Sequence, residues 1–240
     1  MLKAFTYMFQ DNKFFLKSFF CVLLSLIISV ADVLLDIFTE DLGIQTFAVA
    51  AKILFQIPLW GYLISCIKAI RCQNNLLVLP YINGNAFSFG AHLVVFSIII
   101  GILFGLLMRI PILGLILGLF FIITLMILLP AFYCNFADNE FIGAFFAFGK
   151  AIEMIKRDVK TYALSCLMLF VTAIINLPVI LLLSLSVHPK FFSFKLMLLS
   201  VLIDALLTAY LIYVDAYLVA RSTTSENSVK PILVKKVLKF

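Results

Sequence analysis

Long apolar runs, broken by short polar interruptions, set the plan of the chain. The central run, Ala91 to Leu129, holds one formal charge, Arg109, in the turn Arg109-Ile110-Pro111. The windows on either side are each long enough to cross a hydrocarbon core of about 30 Å at about 1.5 Å per residue. They predict two membrane-spanning helices joined by a tight turn, with Pro111 in a first helical turn, where proline is tolerated. Each window carries two glycines four apart, Gly101 with Gly105 and Gly114 with Gly118. Small residues at that spacing open a groove for a second backbone. Folding at Arg109-Ile110 sets Gly105 beside Gly114 and Gly101 beside Gly118, so the expectation is a close-packed central hairpin.

Four further runs have the same character. They predict spans over about Lys17–Phe38, Ile44–Ile70, Tyr162–Val187 and Leu196–Ala220, with the fourth span ending at Leu129 or Phe132. Residues 1–18, an apolar run and Ser29-Val30-Ala31 also resemble a cleavable signal peptide. The leading segment is long and amphipathic, which favours retention; an intact mass lacking residues 1–31 would decide for cleavage.

The polar residues inside the spans are the candidate chemistry. Ser25, Ser29, Asp32 and Asp36 share one face of the first span, at spacings of four, three and four. Folding at Asp41-Leu42 brings Lys52 level with Asp32 and predicts an ion pair within the membrane, the alternative being that Lys52 snorkels outward. Pro58 should kink the second span. Asp204, Thr208 and Asp215 share a face of the sixth span. Folding near Phe191 brings Asn176, on the fifth, toward Asp204, which predicts a hydrogen bond between them.

Amphipathic segments lie between the spans. Residues 1–13 read as a surface helix, with Asp11-Asn12 offering a cap to the next helix. From Ala137 to Lys160, Phe141, Phe145, Phe148, Ile152, Ile155 and Val159 recur at spacings of three and four, with Lys150, Glu153, Arg157 and Lys160 opposite. That pattern predicts one continuous helix lying in the membrane plane, or one docking its apolar face on a partner protein.

Composition sharpens this picture. Hydrophobic residues make up 65% of the 240 and charged residues 12%; a soluble domain carries about twice that charged share. Mean hydropathy is +1.20, so lipid is the main solvent. The net charge of +6 would suggest nucleic acid in a soluble protein, but the basic residues lack the clustering of such a surface. With both termini in the cytoplasm, fourteen of the 18 lysines and arginines fall on that side, leaving Lys52, Arg109, Lys190 and Lys195 within or beyond the membrane. The expected location is the cell membrane, in contact with anionic lipid at the cytoplasmic face. Residues 1–222 form the transmembrane domain and 223–240 a basic cytoplasmic tail. Five cysteines, an odd number without C-x-x-C, read as small apolar fillers.

Gly61-Tyr62, Lys68, Arg71, Leu79-Pro80 and Gly90, followed by Leu129-Pro130-Ala131 and the Phe141–Tyr162 segment, resemble the bacterial and archaeal multi-pass membrane proteins grouped as domain of unknown function 4013. The resemblance runs from Met1 to about Ser222. It departs after Leu79-Pro80, where the family's acidic residues are replaced by Tyr81-Ile82-Asn83-Gly84-Asn85. It implies a multi-helix membrane fold and carries over no activity or catalytic residue.

Motifs for zinc hydrolysis, a nucleophile elbow and a phosphate loop are absent. The expectation is no catalytic, metal-binding or cofactor-binding residue, and no enzyme. The fold class is all-α: an integral membrane bundle of six transmembrane helices in three hairpins, with amphipathic in-plane helices on the cytoplasmic side. Two functions follow. One is a structural or accessory protein that organises lipid or a membrane complex, with a membrane-protein partner or as a homo-oligomer. The other is a small ion- or proton-coupled transporter or channel using Asp32, Asp36, Asp204 and Asp215, with Lys52 and Asn176 as their candidate partners.

Overall fold

A computed structural model gives the fold of residues 13–38, 40–72, 84–110, 113–187 and 194–223, together with Thr6, Phe9, Asp11, Pro80 and Ile82. Most of the expected surface helix over 1–13, the His188-Pro189-Lys190 turn, Pro111 and residues 224–240 of the expected tail lie outside the described residues.

The described residues form seven α-helices and no strand. In chain order these are α1 (Phe14–Ile37), α2 (Leu42–Cys72), α3 (Gly84–Leu107), α4 (Leu113–Asn139), α5 (Phe148–Arg157), α6 (Val159–Val187) and α7 (Phe194–Ser222). All but α5 are long and apolar enough to cross a membrane, and the protein is a multi-pass membrane protein. Local chemistry sets several starts. Asp11 Oδ1 accepts from the Lys13 amide ahead of α1 at 2.8 Å, and Asp41 Oδ1 accepts from the Ile44 amide at 3.0 Å in the first turn of α2. α4 runs through Pro130 to Asn139, beyond the end expected near Leu129–Phe132.

The tightest helix contact joins α2 to α3. A Cβ on Gly61 would overlap the carbonyl of Ala86, and one on Gly90 would overlap that of Ile57. Backbone therefore meets backbone at this crossing, which only glycine allows. The close-packed α3–α4 hairpin is not formed. No atom lies within 4 Å of where a Cβ on Gly101 or Gly105 would stand. Gly118 is covered by Phe104 and Met108, and Gly114 by the Leu107 carbonyl in the turn. The reason is steric: long side chains of α3 fill the groove over Gly118, while Gly101 and Gly105 face away into open space.

Most of the core gathers at the end of the bundle where α1 begins and α7 ends. Tyr62, Phe132, Phe136, Phe145, Tyr213 and Leu218 are fully buried there. Phe145 stacks between Phe136 and Phe96, with ring centroids 4.3 and 4.7 Å away. A small second cluster, Val33, Leu183 and Val201, marks the opposite half.

The single amphipathic helix expected over Ala137–Lys160 is corrected: the segment divides among the end of α4, a 3₁₀ turn, α5 and the start of α6. α4 ends at Asn139, and Glu140 after it is left-handed, with a φ of 56°. A 3₁₀ turn follows over Ile142–Phe146, then α5. Asn135, buried on α4, donates to the Ala144 carbonyl at 2.6 Å and ties the turn back onto the bundle. Phe145 is therefore buried inside the protein, not placed among acyl chains. Asp158 then accepts from the Thr161 amide at 3.0 Å and starts α6. Its bonds to Thr161 hold this carboxyl below its ordinary range.

Candidate functional site

Three carboxylates of the spans, Asp32, Asp204 and Asp215, have partners on neighbouring helices. Lys52 of α2 donates to Asp32 of α1 at 2.5 Å, and the two side chains are 33% and 34% exposed. The pair is thus half-buried, and each charge offsets the desolvation of the other. Ser29 of α1 donates to Asp204 of α7 at 2.5 Å. Thr172 of α6 donates to Asp215 of α7 at 2.9 Å. Asp36 is exposed at the far end of α1.

Asn176 does not cap Asp204, as register counting across the α6–α7 turn had suggested. Asp204 turns toward α1 and takes the Ser29 hydroxyl instead. Counting back from one turn reaches only the next helix, and α7 also packs closely on α1. The Asn176 Oδ1 is left buried without a hydrogen-bond partner.

A second set of polar contacts fastens the end of the bundle where α2, α4 and α7 finish. Arg71 grips Asp138 with two bonds, of 2.8 and 2.6 Å, and reaches the Thr223 hydroxyl at 2.5 Å. Lys68 pairs with Glu140 beside it. One guanidinium fork therefore spans three helices, which a lysine could not do. Lys17, expected among the interfacial charges, is 3% exposed and pairs with Asp11 at 2.6 Å. Lys68 and Arg71 belong to the residues that carry the family resemblance and to the expected cytoplasmic charges, but their acidic partners lie a whole hairpin away in sequence.

One cavity, of about 570 Å³, lies between α2, α4, α6 and α7. α4 and α6 meet where the Tyr162 hydroxyl donates to the Ile127 carbonyl and otherwise keep apart, which leaves the gap. Trp60, Met126, Ile127 and Phe170 line it and are also exposed, so it opens sideways. Its polar lining residues are Trp60, Tyr133, Thr172, Asn176, Thr208 and Asp215. The size falls within the range of about 300–1,000 Å³ usual for small-molecule sites.

Among the described residues, no three acidic, histidine or cysteine side chains cluster to hold a metal ion. His92, as the Nδ1–H tautomer, donates to the Ser88 carbonyl at 2.7 Å and lies beside Phe136. All five cysteines are free.

Residues 44–185, more than half the chain, match the family described as "Protein of unknown function (DUF4013)". The match is narrower than the Met1–Ser222 stretch over which the resemblance was drawn. No curated protein and no solved structure matches.

Proposed function

We propose, on the premise that the chain belongs to the DUF4013 family, that it serves as a structural or accessory membrane protein, organising lipid or a membrane complex without catalysing a reaction. One observation carries this reading. Asp32, Asp204 and Asp215 are each held by a side chain of a neighbouring helix. Carboxylates spent on helix–helix bonds favour assembly over an open ion path. The exposed apolar faces of α3, α4 and α6 offer ample surface to lipid or to another membrane protein. With both termini cytoplasmic, the basic end would meet anionic headgroups of the cell membrane, and α5 would lie along that surface.

Native mass spectrometry of the protein, extracted gently from its own membrane, tests this role. The expected result is a second polypeptide, or retained lipid, at fixed ratio. A bare single chain would overturn it.

A second reading is a small proton- or ion-coupled transporter. The Ser29–Asp204 contact favours it, because it joins the polar stripe of α1 to that of α7. Under that reading, Asp32→Asn abolishes flux while the fold survives.

A further inference from the structure

We infer that the lateral cavity between α4 and α6 is a binding site for one uncharged amphiphile, a long-chain alcohol or glyceride-like molecule whose hydroxyl donates to Asn176. The inference goes beyond the accessory role and does not rest on it. Three observations combine. The cavity is large enough for a hydrocarbon body, at about 570 Å³, and nearly all its lining is apolar. Its mouth is formed by outward-facing side chains, among them Met126 at 65% and Phe170 at 60% exposure, so a molecule dissolved in the bilayer can enter sideways without crossing water. At its polar wall, the Asn176 Oδ1 is buried and accepts no hydrogen bond. A buried acceptor without a donor is costly, and the cost rises in a low-dielectric setting.

The unmet demand specifies the head. What is missing is one donor to a neutral amide oxygen. Asp215, on the same wall, already accepts from Thr172. A hydroxyl supplies a donor to Asn176 and keeps its own oxygen free to accept from another donor of the lining. A cationic head can donate to Asn176 and pair with Asp215, but it gives up a much larger hydration energy on leaving water than a hydroxyl does, and the hexadecylammonium arm of the test separates the two. A phosphate head would meet two acceptors and no cation, because no basic residue lines the cavity. A neutral hydroxyl on a hydrocarbon chain satisfies both walls.

The test uses the full chain in phosphatidylcholine nanodiscs and a hexadecanol carrying a photoreactive diazirine on its chain. The expected label falls on the mouth, at Met126, Ile127 or Phe170, and unlabelled hexadecanol competes it away. Hexadecyl methyl ether, which has no donor, should compete about tenfold less well, the value of one hydrogen bond to a buried acceptor. Asn176→Leu should remove that difference between alcohol and ether. Because the alcohol–ether comparison needs no variant, a misfolded Asn176→Leu leaves the test intact. Label spread evenly over the lipid-facing helices overturns the proposal. So does equal competition by the ether, or a hexadecylammonium that competes more than tenfold better than the alcohol.

Discussion

Two pairs of helices carry glycines at positions where backbones could meet, and only one pair uses them. In the α3–α4 hairpin, Gly101 and Gly105 face open space, and Phe104 and Met108 fill the groove over Gly118. At the α2–α3 crossing, Gly61 and Gly90 sit against the carbonyls of Ala86 and Ile57. The hairpin glycines have the four-residue spacing associated with close packing; the crossing glycines lie on different helices and have no spacing to notice. Spacing shows that a groove exists and says nothing about who fills it. Contact is decided by the side chains opposite: α2 and α3 meet backbone to backbone, whereas Phe104 of α3 and Met108 of the turn cover Gly118 of α4.

The comparison can be broken most sharply at the crossing. Gly61→Ala or Gly90→Ala should cost about 3 kcal/mol, the upper range for forcing atoms into a packed interface, because the obstructing atoms are backbone. Thermal unfolding in detergent, followed by tryptophan fluorescence, measures it; an unchanged transition would deny the crossing. Arg71→Ala comes next. It removes two charge-assisted bonds to the exposed Asp138 and unfastens α2 from α4 and α7, at about 2 kcal/mol, the usual range for hydrogen bonds to charged groups. Arg71→Lys should recover less than half of that, since the two-pronged grip is lost. A full recovery would mean that only the charge matters.

The Asp32–Lys52 pair should matter less, being a third exposed. Lys52→Met alone leaves Asp32 without its cation, and the double change Asp32→Asn with Lys52→Met should return part of the loss. The coupling expected from a double-mutant cycle is about 1 kcal/mol. No coupling would mean the two side chains meet without holding the helices. The smallest effect should be at the hairpin. Gly101→Ala meets nothing and removes a flexible residue from a helix, so stability should rise by up to about 1 kcal/mol. A loss there would restore a packing role to that glycine.

What could be read from the sequence was what depends on one helix or one turn. Six spans follow from the length of apolar runs alone. The Asp32–Lys52 contact follows from counting back across the Asp41-Leu42 turn. The same counting failed for Asn176, because Asp204 found its partner on α1, far away in sequence. It failed for the Gly101–Gly118 match, because a hairpin can be joined at its turn and still be filled by side chains. The apolar periodicity from Phe141 to Val159 is real, yet the helical path is interrupted at Glu140, just ahead of it, and again at Asp158. Asp158 with Thr161 was a legible cap signal for the second. The left-handed Glu140 had none, being neither glycine nor asparagine. Arg71 with Asp138 was out of reach, since only packing of α2 on α4 brings them together.

The central claim is that the carboxylates within the bundle hold helices and carry no ions. The most direct measurement is decay of an imposed pH gradient across proteoliposomes that contain the full chain. If the claim holds, vesicles with the wild-type protein, those with Asp32→Asn and empty vesicles lose the gradient at the same rate. A faster loss with the wild type that disappears in Asp32→Asn would contradict it and make Asp32 part of a proton path.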